Sequence, residues 1–389
     1  MTGQDAVVVP SLYPAPSSLA TVRSLGRAGV RTIAVGSSET MPPFASKYCD
    51  EAYRAPAPGD DIERYGDVLL KLAARDDVVT VVPLREADVY VLSTRRDEFA
   101  EHVATPWPDY DTVESVQDGL RLVDIARDAG VAVPETVSLD EWDGWDGPAA
   151  VKSRYSILVE DGETFYPGVE LLDAGETPDR DAITEQMRHV PIVQEFIPGD
   201  DEVGFFAMFD HGEPVATFQH RRIRSYTYKG GASVYREAID DPDLEAAGLS
   251  LLKALDWHGP AMVEFKRDER DGSYTLIEIN PRFWGSLQLA VHAGVDFPYH
   301  YYRVATGDPA EPTFDYDVGT ASHVLRGELI YLTSLLTADD GPVDPPSLRT
   351  EIPAVLRSFV EQPNFDYLSL DDPMPFATDM WLTLEAVLP

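Results

Sequence analysis

Between Met262 and Trp284 the chain carries two runs of alternating apolar and polar residues around a polar turn, with Asp271-Gly272 at its centre. That pattern predicts a β-hairpin, because strand side chains alternate between faces and Asp-Gly readily supplies the positive φ of a tight turn. With the turn over 269–273, Glu264 and Glu278 stand directly opposite each other, their Cβ atoms about 5 Å apart. Asn280 shares their face two residues on, while Val263, Phe265, Ile277 and Ile279 point the other way, into a core. Facing carboxylates destabilise a hairpin unless positive charge lies between them. Three oxygen ligands on one rigid face match a hard cation such as Mg2+ or Mn2+. Arg282, just past the strand-ending Pro281, is placed to meet a developing anion. The competing reading is the solvated polar face of an amphipathic hairpin.

Glu264 followed by Glu278-Ile279-Asn280-Pro281-Arg282 resembles the metal-binding signature of the ATP-grasp superfamily. The resemblance implies that Glu264, Glu278 and Asn280 hold magnesium ions on ATP and that Arg282 faces the reacting phosphoryl group. It implies a mixed α/β and α+β fold: an N-terminal Rossmann-like parallel sheet, then an ATP-grasp domain of two α+β lobes. The expected divisions are 1–108 for the first domain, 109–190 for the small lobe, 191–310 for the large lobe with the metal site, and 311–389 for a C-terminal cap. The activity implied is ATP-dependent carboxylate–amine ligation through an acylphosphate, with ADP and phosphate as products. An ATP-grasp kinase, a carboxylase subunit and an inactive nucleotide-binding regulator are the alternatives. The cofactors are then ATP and Mg2+ or Mn2+, and the partners a small-molecule carboxylate and an amine.

Further positions follow from the same resemblance. The apolar strand 149–152 ends in Lys152, whose counterpart reaches the α- and β-phosphates. The run 192–197 resembles the interdomain hinge, so that Gln194, Glu195 and Ile197 border adenine and Glu202 reaches the ribose hydroxyls. Two features depart from the pattern. Gly119 stands where members carry a phosphate-binding Lys, with Arg121 as a candidate substitute, and 153–162 lacks the usual Gly-rich loop.

In the first hundred residues, apolar runs at 6–9, 32–35 and 78–83 alternate with helical patterns at 17–28, 62–74 and from Glu86. Such alternation predicts a parallel sheet. The first strand-to-helix turn lacks Gly-x-Gly-x-x-Gly, which excludes close binding of a dinucleotide pyrophosphate there. The pattern over 113–129 predicts one helix closed by Gly130.

From Gln219 to Arg236 the chain holds four Arg and one Lys and no acidic residue. Guanidinium groups bind oxyanions bidentately. Alternation puts Arg222 and Arg224 on one strand face with His220, and Arg221 on the other. Arg222, Arg224 and Arg282 are therefore the candidates to stabilise the transferring phosphoryl group and the substrate carboxylate. The competing reading is a surface loop paired with acidic neighbours.

Composition narrows the setting. The formal net charge is −37, from 68 acidic against 31 basic residues, of which only six are Lys. That balance predicts solubility in concentrated salt, where self-repulsion is screened, and argues against nucleic acid as a partner. Cys49 is the single cysteine, so an internal disulfide and a Cys-based metal site are excluded; it reads as a small buried strand residue. No apolar run reaches membrane-spanning length and the N-terminus lacks a signal-peptide pattern, so a soluble cytoplasmic protein is expected. The scattered histidines read as structural, residues 371–381 as part of a packed cap, and a homodimer is left open.

Overall fold

The computed structural model describes residues 4–12, 15–166, 168–199, 201–337 and 345–387. The chain begins with β1 (Ala6–Pro10), α1 (Pro16–Arg27), β2 (Arg31–Gly36), β3 (Glu51–Arg54), α2 (Ile62–Ala73), β4 (Val78–Val81), α3 (Glu86–Thr94) and α4 (Arg96–Ala100). The four strands form a parallel sheet in the order β3-β2-β1-β4. Every residue of β1 is buried, as expected for a parallel strand covered on both faces. Strand β3 escapes the apolar pattern because it is a charged edge. Glu51 accepts from Arg75 at 2.9 Å, and Arg75 and Arg31 also hold Asp77. Cys49 sits just before β3 and is half-buried; burial pushes its thiol up to about 11, so it is no nucleophile at neutral pH.

Two helices follow, α5 (Tyr110–Gln117) and α6 (Gly119–Asp128), where the sequence pattern predicts one. Asp118 breaks the run: its carboxylate leaves the helix to cap the next one, accepting from Leu120 N at 3.0 Å. Next come β5 (Thr136–Ser138), β6 (Ala149–Lys152), the ribbon β7 (Leu158–Glu160) and β8 (Glu163–Phe165), β9 (Val169–Leu172), α7 (Arg180–Met187) and β10 (Ile192–Glu195). They build an antiparallel sheet in the order β5-β10-β6-β9. Although β10 lies past residue 190, it belongs to this smaller sheet, where alternation between buried faces finds its partners.

The chain crosses to the larger sheet at Pro198-Gly199. Gly199 has φ +121°, and a Cβ there would stand 2.7 Å from the Arg267 carbonyl, so the crossing needs glycine. The larger part contains β11 (Glu202–Asp210), β12 (Glu213–Thr227), β13 (Gly230–Ala238), α8 (Pro242–Ala254), β14 (Gly259–Arg267), β15 (Tyr274–Asn280), α9 (Leu287–His292), α10 (Phe297–Ala305) and β16 (Ala321–His323). Its six strands run β15-β14-β11-β12-β13-β16, so β16 is a sheet strand and not part of a separate cap. Strand β11 is apolar on both sides for a reason. Phe205, Ala207 and Phe209 pack with α6 and α8 residues, while Phe206 and Met208 join the core shared with the valines of β1.

Helices α11 (Leu325–Leu336), α12 (Leu348–Glu361) and α13 (Met374–Val387) close the molecule. Buried ion pairs fasten them: Arg23 of α1 with Asp372 at 2.9 Å, Arg236 with Asp366, and Arg326 with Asp379. Trp381 is 64% exposed, whereas Phe359 and Phe365 pack around His323 and Tyr367 is buried with Leu19 and Val324, so this end joins ion pairs to other aromatics. Among the described residues no helix is long and apolar enough to cross a membrane.

Candidate active site

Strands β14 and β15 place Glu264 opposite Glu278 and Met262 opposite Asn280. The route to that register differs from the one alternation predicts. Nearer the turn the pairs are Phe265 with Leu276 and Arg267 with Tyr274, one residue out of step with a 269–273 turn. The turn instead closes where Asp268 N–H donates to Ser273 O at 2.9 Å and Gly272 N–H donates to Asp268 O at 2.7 Å. A bulge at Ile277 absorbs the extra residue and restores the carboxylate pairing. Leu276 consequently takes the core position that strict alternation assigns to Ile277, which is only half-buried.

Beyond the bulge a chain of hydrogen bonds runs along one wall. Asn280 Nδ2 donates to Glu278 Oε1 at 2.7 Å, and Arg282 Nη2 donates to Asn280 Oδ1 at 2.9 Å. Arg282 Nε donates to Glu86 Oε1 at 2.6 Å. Glu86 is the first residue of α3, so the N-terminal sheet reaches into this wall. Burial alone would raise the Glu86 carboxyl; Arg282 overrides it and holds it below its ordinary value. At Glu264 the balance goes the other way. Burial pushes its carboxyl far above the usual range, Glu278 adds to this, and Arg222 and Arg282 only partly oppose it. Two facing carboxylates with an amide oxygen beside them, short of compensating charge, are a donor set that fits a hard divalent cation.

The wall borders a cleft of about 480 Å3. Glu264, Arg282, Arg222 and Glu202 line one side, Arg85 and the start of α1 another, and Val324 closes the end. Arg222 pairs with Glu202 across β11 and β12, and its Nη1 donates to Gly231 O at 2.6 Å. His220 and Ser286 meet at the cleft floor, Nε2 to Oγ 2.6 Å, and burial pushes the imidazole down to about 3, so it is neutral. Lys152 approaches from the smaller sheet. Burial lowers its pKa, Glu278 opposes that, and its ammonium has no hydrogen bond or ion pair among the described residues.

Residues 191–324, which carry this wall, match a family model described as ATP-grasp in the biosynthetic pathway with Ter operon. A D-aspartate ligase of Enterococcus faecium is 24% identical over 216 residues, 49% of this chain and 50% of that protein. The chain therefore spans about half the length of the curated relative it matches. An L-amino acid ligase from Bacillus licheniformis superposes with TM-score 0.57 at 17% identity, covering 79% of this chain and 75% of the other. The biotin carboxylase domain of Hydrogenobacter thermophilus 2-oxoglutarate carboxylase, solved with MgADP and bicarbonate, gives 0.62 at 15% identity, covering 82% and 73%. The chain has the ATP-grasp fold.

Within that fold the structure also redistributes the other sequence candidates. Arg224 leaves the cleft. The β12–β13 register slips around Ile223, and the Arg224 guanidinium donates to Glu328 at 2.9 Å and to Ser358 Oγ at 3.1 Å, over the Tyr235 ring. The expectation that it meets the phosphoryl group is therefore corrected: a buried carboxylate on α11 claims it. Arg221 faces outward to Glu237, as alternation requires. In the 192–197 run, Gln194 Nε2 donates to Thr136 Oγ1 at 3.0 Å and Glu195 pairs with Arg270 at 2.6 Å. Ile197 is buried, and its N–H makes no backbone hydrogen bond among the described residues. Glu202 lies in the cleft, held by Arg222.

The two departures from the ATP-grasp pattern have a common structural cause. Arg154 donates to Asp118 at 2.9 and 2.6 Å, Gly119 N–H donates to Arg154 O at 2.7 Å, and His189 Nε2 accepts from Arg154 N at 3.0 Å. The segment after β6 is thus pinned to the start of α6. A Cβ at Gly119 would stand 2.8 Å from Ile192 Cδ1, so a Lys does not fit there without movement. Arg121 pairs with Glu114 on the surface and does not replace it. Sequence reasoning missed Glu86 and Arg85. Their signal was positional: they follow the carboxyl end of a parallel strand, where open α/β sheets present binding residues.

Proposed function

We propose that this protein is an ATP-dependent ligase that joins a carboxylate to an amine, releasing ADP and phosphate. The observation that carries the reading is the facing of Glu264 and Glu278, with Asn280 beside them, at a cleft also lined by Arg222 and Arg282. The similar D-aspartate and L-amino acid ligases support an amino-acid-like substrate. In this reading Glu264, Glu278 and Asn280 hold Mg2+ or Mn2+, which when bound neutralises charge on the phosphates. Lys152 binds phosphate oxygens, the 194–197 backbone borders adenine, and Glu202 turns from Arg222 to the ribose.

The chemistry is phosphoryl transfer followed by acyl transfer. The substrate carboxylate oxygen attacks the γ-phosphorus and the bond to the ADP oxygen breaks, giving an acylphosphate. The amine then attacks the acyl carbon, loses a proton, and phosphate leaves. Arg282 and Arg222 supply positive charge to the oxyanions of both steps, and no enzyme nucleophile is required. The divisions at 108, 190 and 310 belong to the same proposal, with β10 and β16 reassigned to the sheets they join.

The test is ADP release from ATP and Mg2+ with pooled amino acids, each class of acceptor omitted in turn. A ligase releases ADP only when both carboxylate and amine are present. ADP release without any amine would identify a kinase. Tight ATP binding without ADP release would favour the regulator reading, which the pinned segment after β6 recommends.

A further inference from the structure

Two turns meet at the far end of the six-stranded sheet. Asp210 and His211 begin the turn between β11 and β12, and Asp256-Trp257-His258 leads into β14. Phe209 pairs with Gly259, so the next residues outward, Asp210 and His258, become neighbours. Backbone contacts hold the two turns together. Gly212 N–H donates to Trp257 O at 2.8 Å, and His211 N–H donates to His258 Nδ1 at 3.2 Å. Trp257 is fully buried and anchors the second turn.

The two imidazoles consequently lie side by side, with ring centroids 4.0 Å apart and planes tilted by 32°. Asp210 Oδ1 lies 2.7 Å from His211 Nδ1 and 3.6 Å from His258 Nδ1. Among the described residues this is the one group of three His, Cys, Asp or Glu side chains whose ligand atoms all lie within 4.8 Å of one another. A tetrahedral Zn2+ with bonds of about 2.0–2.1 Å separates its ligands by about 3.3 Å. Two of the distances bracket that value, and an ion there takes the Nδ1 positions in exchange for the hydrogen bonds that occupy them, His211 Nδ1 with Asp210 and His258 Nδ1 with the His211 N–H. The His211 side chain is 78% exposed, so it is free to adjust and leaves a coordination position open to water.

We propose that Asp210, His211 and His258 form a binding site for a borderline divalent cation of the Zn2+ class, which ties the two turns together. Imidazole nitrogens with one carboxylate prefer Zn2+ to Mg2+, the reverse of the all-oxygen face at Glu264. His258 precedes Glu264 by six residues along β14, so the two sites lie about 20 Å apart and load independently.

The full chain is titrated with CoCl2 as a spectroscopic probe, then challenged with ZnCl2 and with excess MgCl2. One equivalent of Co2+ should develop the visible bands of nitrogen-coordinated cobalt, which Zn2+ abolishes and Mg2+ leaves in place. His211→Asn tolerates the left-handed turn conformation, φ 48°, and should weaken binding by at least about tenfold, as should Asp210→Asn. Glu278→Ala should bind Co2+ like the wild type. In a second readout, ZnCl2 raises the melting temperature of the wild type and not of His211→Asn. Wild-type affinity in His211→Asn, or loss of the bands in Glu278→Ala, overturns the proposal.

Discussion

The six-stranded sheet and the smaller antiparallel sheet that carries Lys152 are built on opposite principles. On the six-stranded sheet the charged groups already hold one another: Asn280 to Glu278, Arg282 to Asn280 and Glu86, Arg222 to Glu202. On the smaller antiparallel sheet Lys152 feels Glu278 but makes no hydrogen bond or ion pair among the described residues, and Val169 and Leu171 of β9 are 64% and 65% exposed. In the proposed reading one wall is preassembled and the other is completed by phosphate oxygens. The difference teaches where each kind of energy goes. Preorganised charge costs nothing to arrange at the moment of reaction and so favours turnover, whereas an unpaired cation gains its partner on binding and so favours affinity.

Substitutions should separate the two walls. Glu278→Ala should have the largest effect. Removing a ligand from the preassembled wall should abolish Mg2+-dependent ATP affinity in calorimetry and lower ADP release by about a thousandfold, since several kcal/mol of charge stabilisation go with it. Arg222→Ala should cost about a hundredfold in turnover while leaving ATP affinity nearly unchanged, because the charge it meets grows in the transition state. An equal loss in affinity and turnover would instead make Arg222 a simple binding residue. Lys152→Ala should reverse that split, weakening ATP by about tenfold with little change in turnover, as expected for one charge-assisted hydrogen bond.

Arg224→Ala supplies the contrast within one strand. It should turn over like the wild type yet lose about 3 kcal/mol of stability, because Glu328 is left buried with only His323 Nδ1 beside it at 2.8 Å. A turnover loss at unchanged melting temperature would return Arg224 to the cleft. The smallest effect should come from salt. With a net charge of −37, stability should rise from low to molar KCl, and amide exchange should slow more in β6 and β9 than in β11 and β14. A melting temperature that falls with KCl would remove the case for salt adaptation.

The comparison also marks how far the sequence could be read. Glu264, Glu278, Asn280 and Arg282 were legible because they lie on one hairpin, where a period of two decides which side chains share a face. Even there the agreement hides two offsetting features: the turn sits one residue away from its expected place, and the bulge at Ile277 compensates. Arg222 and Arg224 were not separable, because the slip at Ile223 is decided by what β13 and the C-terminal helices present to β12. The break at Asp118 was hidden for a similar reason. A helical pattern runs through it, and besides the local cap at Leu120 the carboxylate's partner is Arg154, 36 residues away.

What the sequence determined by itself was therefore the set of faces: the parallel core of β1 and β2, the carboxylate face of β14 and β15, and the surplus of negative charge. These depend on local periodicity and composition, which no distant residue alters. Partnership was decided by the tertiary structure alone. Glu86 meets Arg282 across 196 positions, Arg224 meets Glu328 across 104, and Asp210 meets His258 because β11 lies between β12 and β14. These buried charges settle on whichever opposite charge packing brings within hydrogen-bond reach, and that choice depends on the arrangement of whole sheets and helices.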